Sequence, residues 1–285
     1  FIRYSHLEIG AKIGAGGAGE VYVGKWCGQT VAIKKSYMDL MANDASELCH
    51  EATMLAALNH PKIIRFYGLS RSLDGHLVLV MEYIPLCLET FVKREEAVSD
   101  SRPPGLGWAD AHRLVLELAQ TLAYIHGEHM VHLDLKPANV LLSEGEDGDL
   151  HIKLCDLGMA KMTKRGPRGY LWEKEIGTPG FMPPEAILLR RASTSEPQAV
   201  GDVANARDAN AFGGKGGYST SSVAEINDPM KWDIFGLGIL AWVCWSLREP
   251  FEHASGSDDM NHRVFSGERP CLEAGSATMP QVFRG

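Results

Sequence analysis

The sequence has no surplus of basic charge. Its 28 lysines and arginines stand against 36 aspartates and glutamates, for a formal net charge of −8. That balance argues against nucleic acid as the main partner, because phosphate backbones call for a basic face. None of its six cysteines, at positions 27, 49, 87, 155, 244 and 271, forms a Cys-x-x-Cys pair. A cysteine metal site or redox pair is disfavoured on that spacing, and a reducing, cytosolic setting is expected. No apolar run is long enough for a membrane span: the longest, Ile234 to Trp245, includes Gly236 and Gly238 and suits a buried helix. No signal peptide is visible. The chain begins on Phe1 instead of Met and reads as an excised piece of a longer protein, whose other segments carry any targeting information. It has no internal repeat.

What is present is 285 residues, 45% of them hydrophobic, enough for two modest lobes or one large domain and for a substantial core. Residues 7–35 are strand-like. Leu7, Ile9 and Ile13 lead into the cluster Gly14-Ala15-Gly16-Gly17-Ala18-Gly19, Val21 and Val23 alternate, Trp26-Cys-Gly-Gln makes a turn, and Val31-Ala-Ile33 returns. Over 44–58 the period becomes helical, with Leu48, Glu51, Leu55 and Leu58 on one stripe and His60-Pro61 ending the helix. Apolar runs at Ile63–Tyr67 and Leu77–Met81 read as strands. After Ile84-Pro85 the character is helical: Leu114, Leu118, Leu122 and Ile125 mark a long amphipathic helix that Gly127 can end. Short strands are expected at Val140–Leu142 and Ile152–Leu154. Residues 191–230, rich in small and polar side chains, read as a flexible insertion, and a hydrophobic helix resumes from Trp232 to Trp245.

The chemistry-bearing stretches fall in order along this frame. A glycine cluster of this kind is weak evidence alone, but its context is informative. A dinucleotide fold would place a helix directly after Gly19. Here Glu20-Val-Tyr-Val is followed by a turn and a second strand, a flap able to lay backbone N–H groups over phosphates. Ala32 and Lys34 share the strand face beneath that flap. A lysine on an inner face needs a counter-charge, and Glu51 is the expected partner, with Glu47 one turn earlier as the competitor. Further on stand His132-Leu-Asp134-Leu-Lys136-Pro-Ala-Asn139, then Cys155-Asp156-Leu-Gly158, then Gly177-Thr178-Pro-Gly-Phe-Met-Pro-Pro-Glu185.

These five ordered motifs resemble a eukaryotic protein kinase domain, over roughly residues 7 to 270 apart from the insertion. The stretch from Val21 to Lys34 resembles the tyrosine-kinase-like group; Lys136-Pro-Ala-Asn139 and Gly177-Thr178 resemble serine/threonine enzymes. The resemblance implies an α+β, bilobal fold. Residues 1–84 would form a small antiparallel-sheet lobe with one main helix, and residues 85–285 a mainly helical lobe. It implies transfer of the γ-phosphoryl group of ATP, with Mg²⁺ or Mn²⁺, to a serine or threonine hydroxyl of a protein substrate. Asp134 would accept the hydroxyl proton, Lys136 would neutralise the moving phosphoryl group, and Thr178 would brace both. Asn139 and Asp156 would hold the metal ions, which favour oxygen ligands. Lys34, paired with Glu51, would clamp the α- and β-phosphates. Gly14, Ala15, Gly16, Gly17, Ala18 and Gly19 would form the phosphate flap. Val21, Ala32 and Leu141 would sandwich the adenine, with Met81 behind it and the backbone of Glu82 to Ile84 bonding the base.

Three departures qualify this picture. Leu133 stands where the family has an arginine that reads activation-loop phosphorylation, so its loss is expected to spare catalysis and remove a regulatory clamp. Leu157 replaces a phenylalanine and is expected to fill the spine between Leu55, Phe66 and His132. The chain stops soon after Pro270, and Arg263, Arg269 and Arg284 are poor substitutes for the family arginine that pairs with Glu185. Thr163, in a basic run, and Ser193, after Arg190-Arg-Ala, are candidate modification sites whose plain readings are a solvated loop and a chance match. Cys155 is expected to be a small buried side chain more than a reactive thiol. A pseudokinase scaffold is the runner-up reading, favoured by the two leucines and the early stop, and opposed by the presence of Lys34, Asp134 and Asp156.

Overall fold

The computed structural model describes residues 1–16, 19–39, 46–97, 106–146, 148–163, 177–188 and 228–271. Gly17 and Ala18 of the flap, the side chain of Glu47, Ser193, Arg284 and the expected insertion up to residue 227 lie outside the described residues. The chain divides into two compact units. One comprises Phe1–Phe91, Leu116–Glu128 and Pro137–Ala160; the other comprises Val92–Val115, His129–Lys136 and Lys161–Gly285.

The first unit is built on a five-stranded antiparallel sheet. Its strands are β1 (Leu7–Gly16), β2 (Gly19–Trp26), β3 (Gln29–Asp39), β4 (Phe66–Arg71) and β5 (His76–Glu82), in the order β1-β2-β3-β5-β4. The β2–β3 turn has two residues, Cys27 and Gly28, both at positive φ (50° and 80°), the conformation whose twist suits a tight hairpin. Alternation gives the sheet two different faces. Val31, Ile33, Val78 and Val80 pack on one side with Ile2 and Leu7, flanked by Tyr4, Tyr22, Trp26 and Tyr67. The N-terminal residues therefore strap this outer face, and Ile2 N–H donates to Leu69 O (2.6 Å) on edge strand β4. Fully burying an aliphatic side chain stabilises by roughly 1.5–3 kcal/mol, so the strap is a real part of the core. The register places Val21, Ala32, Lys34, Leu79 and Met81 on the opposite face. The helix α1 (Ser46–Ala57) buries Leu48, Glu51, Ala52 and Leu55, one stripe at helical spacing.

The expected strand at Ile63–Tyr67 is displaced. Ile63 forms a parallel bridge with Leu154, and Ile64 N–H donates to Leu154 O (2.9 Å). The strand proper runs from Phe66 into the polar Ser70 and Arg71, because β5 needs a backbone partner along its length; Gly68 marks a register irregularity. A second sheet pairs β6 (Leu86–Cys87), the short helix α2 (Leu88–Ala97) following, with β8 (Val140–Glu144) and β9 (Leu150–Leu154) in the order β6-β8-β9. The helix α3 (Trp108–Gly127) buries Leu114, Leu118, Leu122 and Ile125, as its periodicity predicts. From α3, Glu117 accepts from Lys62 Nζ (2.6 Å) and from Ile152 N–H (2.9 Å), with His151 Nδ1 at 2.6 Å. Burial opposes the Glu117 charge, but these partners outweigh it and hold the carboxyl below its usual range.

The second unit contains β7 (Met130–Val131), paired with β10 (Lys161–Met162), and the helices α4 (Pro229–Ser246) and α5 (Ser257–Phe265). α4 starts earlier than the apolar run predicts. Asp228 caps it by accepting from Met230 N–H (3.1 Å) and Pro229 fills the first turn, so the last residues assigned to the insertion belong to the helix start. Its core joins Val131, Leu133, Met182, Ala186, Ile187, Trp232, Phe251 and Val264. Arg263 is engaged by Asp259 and Glu268, and Arg269 by Val264 O and the Phe235 ring. No helix among the described residues is long and apolar enough to cross a membrane.

Candidate active site

In the first unit, Lys34 lies on the inner face of β3 and is 9% exposed. Its Nζ donates to Glu51 Oε2 at 2.7 Å and to Asp156 Oδ1 at 3.3 Å. Burial works against the Lys34 charge, yet the two carboxylates outweigh it and hold the ammonium above its ordinary range. Glu51, 1% exposed, sits above the usual carboxylate range because burial outweighs the pull of Lys34. Asp156 adopts a left-handed backbone (φ 60°), an uncommon conformation that aims its carboxylate at the lysine. Just before it, Cys155 donates from both N–H (3.0 Å) and Sγ (3.4 Å) to Asn139 O, so Asn139 and Asp156 are tied through main-chain atoms. The Cys155 thiol is pushed up by burial and by Asp156, and stays a protonated donor. Over the whole residue Cys155 is only half-buried, short of the buried side chain expected, while its raised thiol disfavours the reactive thiolate.

Val21, Ala32 and Met81 share the Lys34 face through the strand register, and Leu141 lies in β8 opposite Lys153. Glu82 N–H donates to Arg65 O (2.8 Å), and Glu82 Oε2 accepts from Lys153 Nζ (2.7 Å). Its amide hydrogen is therefore committed within the protein, leaving Tyr83 and Ile84 as the nearest amide donors for a ligand. In the flap, Gly14 and Gly16 have open space where a Cβ would stand, and Ala15 lies between them, opposite Glu20. Gly19 is different: a Cβ there would meet Lys35 O at 2.1 Å, so the β2–β3 approach requires glycine. Among the described residues no three His, Cys, Asp or Glu side chains cluster as metal ligands. Asn139 and Asp156 offer hard oxygen donors, a set that fits Mg²⁺ supplemented by water and phosphate oxygens.

In the second unit, three polar side chains close a triangle. Thr178 Oγ1 donates to Asp134 Oδ1 (2.6 Å), Lys136 Nζ donates to Asp134 Oδ2 (2.7 Å), and Lys136 Nζ also reaches Thr178 Oγ1 (3.2 Å). Asp134 is 4% exposed, so its carboxylate is held by these partners. Gly177, at φ 81°, lets the chain reach this position: a Cβ there would meet Met182 Cγ at 2.6 Å.

The residue the sequence reading missed is Asp233. It is the one acidic side chain in α4 and is 1% exposed. Its Oδ2 accepts from His132 N–H (2.9 Å) and its Oδ1 from Leu133 N–H (2.8 Å). Leu133 is itself left-handed (φ 66°), a costly state for a leucine. The carboxylate thus pins the turn that presents Asp134, and the Leu133 side chain drops into the apolar core. A lone carboxylate at the head of the apolar run from Ile234 to Trp245 was the available signal, since buried charges need partners.

A family match covers the segments that carry Lys34, Glu51, Asp134, Lys136, Asn139, Asp156 and Thr178. The protein kinase domain family model matches residues 7–200. A probable L-type lectin-domain containing receptor kinase S.5 of Arabidopsis thaliana is 33% identical over 187 residues, 64% of this chain and 27% of that protein. A probable serine/threonine-protein kinase of Dictyostelium discoideum is 32% identical over 198 residues, 68% of this chain and 30% of its own length. Serine/threonine-protein kinase pkn2 of Myxococcus xanthus is 33% identical over 189 residues, covering 64% and 21%. The chain therefore corresponds to less than a third of each of these relatives. With a family match spanning more than half of its length and relatives that carry the kinase name, the chain belongs to the protein kinase domain family.

Proposed function

We propose that this chain is a serine/threonine protein kinase domain of the tyrosine-kinase-like group, acting on protein hydroxyls in the cytosol or as the cytosolic part of a larger protein. The observation that carries the reading is the closed triangle of Asp134, Lys136 and Thr178, in which a buried carboxylate is held beside a cation and a hydroxyl. Phosphoryl transfer asks mainly for positioning and charge neutralisation, and each group has one such task. An acceptor hydroxyl would replace Thr178 or share Asp134 Oδ1 with it and give its proton to that carboxylate. The hydroxyl oxygen then forms the new bond to the γ-phosphorus as the bond to the bridging β–γ oxygen breaks, and ADP leaves with that electron pair. Lys136 offsets the charge on the transferring group. Lys34, kept charged and oriented by Glu51, holds the α- and β-phosphates under the flap of Gly14, Gly16 and Gly19. Val21, Ala32, Met81 and Leu141 offer the apolar walls for adenine. Asn139 and Asp156 would hold Mg²⁺, which when bound screens the phosphate charge.

Leu133 supports a regulatory corollary. Its side chain is committed to the core with Met182 and Trp232 and carries no charge to read a phosphate, so activity does not depend on loop phosphorylation sensed at this position. Phosphatase treatment that removed nearly all activity would contradict this. The main test is radiolabel transfer from ATP to a serine/threonine peptide array by the wild type and by Asp134→Ala. Incorporation that disappears in the variant supports the reading; equal incorporation, or none from either protein, overturns it.

A further inference from the structure

The flap carries a network that none of the roles above uses. β1 and β2 pair with Lys12 opposite Tyr22 and Ala15 opposite Glu20, but the register is broken on both sides of Lys12, between Ile9 and Lys12 and between Lys12 and Gly14. A hairpin interrupted twice in one strand is where fraying starts, because those residues lack regular ladder bonds. The side chains bridge that weak stretch. Lys12 Nζ donates to Glu20 Oε1 (2.6 Å) and Tyr22 OH donates to Glu20 Oε2 (2.5 Å), so both carboxylate oxygens are engaged. Lys35, opposite Glu20 on β3, adds positive charge from the other side and is itself tied to Asp74 (2.7 Å). The Tyr22 ring is anchored against the core of the outer face. Alternation puts Glu20 and Tyr22 on that outer face, opposite Val21 and the Lys34 side of the sheet.

We propose that Glu20, with Lys12 and Tyr22, is a positioning latch: it holds the glycine hairpin in register from the outer face and thereby sets the affinity for the nucleoside triphosphate without touching it. The inference rests on the phosphotransfer reading above. Its physical basis is preorganisation. A hairpin that must be ordered when ligand binds charges that ordering against affinity, whereas the reacting groups lie on other elements and keep their rate once the ligand is seated. The competing account is an ordinary exposed ion pair that contributes nothing measurable.

The test uses the full chain with Glu20→Ala, and with Glu20→Gln, which keeps one acceptor oxygen for Lys12 or Tyr22. Two quantities are read: amide hydrogen exchange of β1 and β2 without nucleotide, and KM for ATP alongside kcat. The latch predicts faster exchange in Glu20→Ala, a KM for ATP raised roughly two- to fivefold as expected for an exposed pair, and an unchanged kcat. Glu20→Gln falls between Glu20→Ala and the wild type in both readouts. Unchanged exchange, faster exchange with unchanged KM, a kcat that falls as much as KM rises, or a Glu20→Gln protein as impaired as Glu20→Ala would each overturn the latch. Wild-type protein that neither binds nor turns over ATP removes the phosphotransfer reading and this inference together, and that failure shows in the unaltered chain, where a failure of the latch alone does not.

Discussion

Replacing Asp233 probes the support of the proposed catalytic base without touching the base itself. The carboxylate accepts two buried main-chain N–H groups, those of His132 and Leu133. A hydrogen bond to a charged group contributes about 1.5–3 kcal/mol, so Asp233→Ala, which leaves both donors bare, costs about 3–6 kcal/mol. Against a usual total of about 5–15 kcal/mol, that variant stands at the edge of folding. Asp233→Asn is the informative one. It keeps a single acceptor oxygen and turns an NH₂ toward the second N–H, for a loss of about 1.5–3 kcal/mol. With a urea dependence near ~3 kcal/mol per M, the unfolding midpoint falls by roughly 0.5–1 M. The released strain at Leu133 lets the following residue shift, and a displacement near 1 Å at Asp134 costs up to ~100-fold in turnover. The two readouts are a urea melt followed by tryptophan fluorescence and the initial rate of phosphoryl transfer. Asp233→Asn protein with the wild-type midpoint and the wild-type rate would refute the clamp.

Other outcomes follow from the same geometry. Lys34→Met leaves Glu51 buried without its cation and should lower stability by about 3–5 kcal/mol; adding Glu51→Gln should restore the melt but not activity. In alkylation at about pH 8, exposed Cys27 and Cys271 should react first, while Cys155, raised by burial and Asp156, and Cys244, pushed by burial up to about 12, should stay unlabelled in the native protein by mass spectrometry. The latch carries a pH signature. Hydrogen bonds from Lys12 and Tyr22 hold the Glu20 carboxyl below its usual range, so its contribution is present above the unfolded value and is lost as pH falls through the depressed one. The bond to Glu20 raises Lys12, whose contribution is present below the ordinary lysine value and is lost as pH rises through the raised one. Protection of the β1–β2 amides, corrected for intrinsic exchange, should therefore be flat from about pH 6 to 9; a step near neutrality would assign it to another group.

What could be read from the sequence was local or forced by charge. The glycine cluster followed by an alternating strand announced a hairpin, because a helix would need a different period. The Lys34–Glu51 bond was legible because an ammonium on an inner strand face must find a carboxylate, and α1 offers one on its buried stripe. The triangle partners Asp134 and Lys136 are two residues apart, and Thr178 entered only through the family resemblance. The misses share a cause, sequence distance. Nothing near residue 132 announces that Asp233, a hundred positions later, will hold its backbone. The strand β4 was misplaced because Ile63 and Ile64 look like strand residues but pair with Leu154, while Ser70 is buried by its neighbours in the sheet despite its hydroxyl. The Lys12–Glu20–Tyr22 contact depends on two register breaks that residue identity does not reveal.

The residues ahead of Leu7 have a practical bearing on how this protein is trimmed. Ile2 and Tyr4 precede the family match, yet they pack with Val78 and Val80, and Ile2 N–H bonds the free edge at Leu69. A fragment that starts at Leu7, where the match begins, and keeps the rest of the chain would bare a row of valines next to an open strand, the combination that invites sheet-to-sheet association between copies. Poor solubility of such a fragment would be a fault of the scissors, with no bearing on the chemistry of the chain.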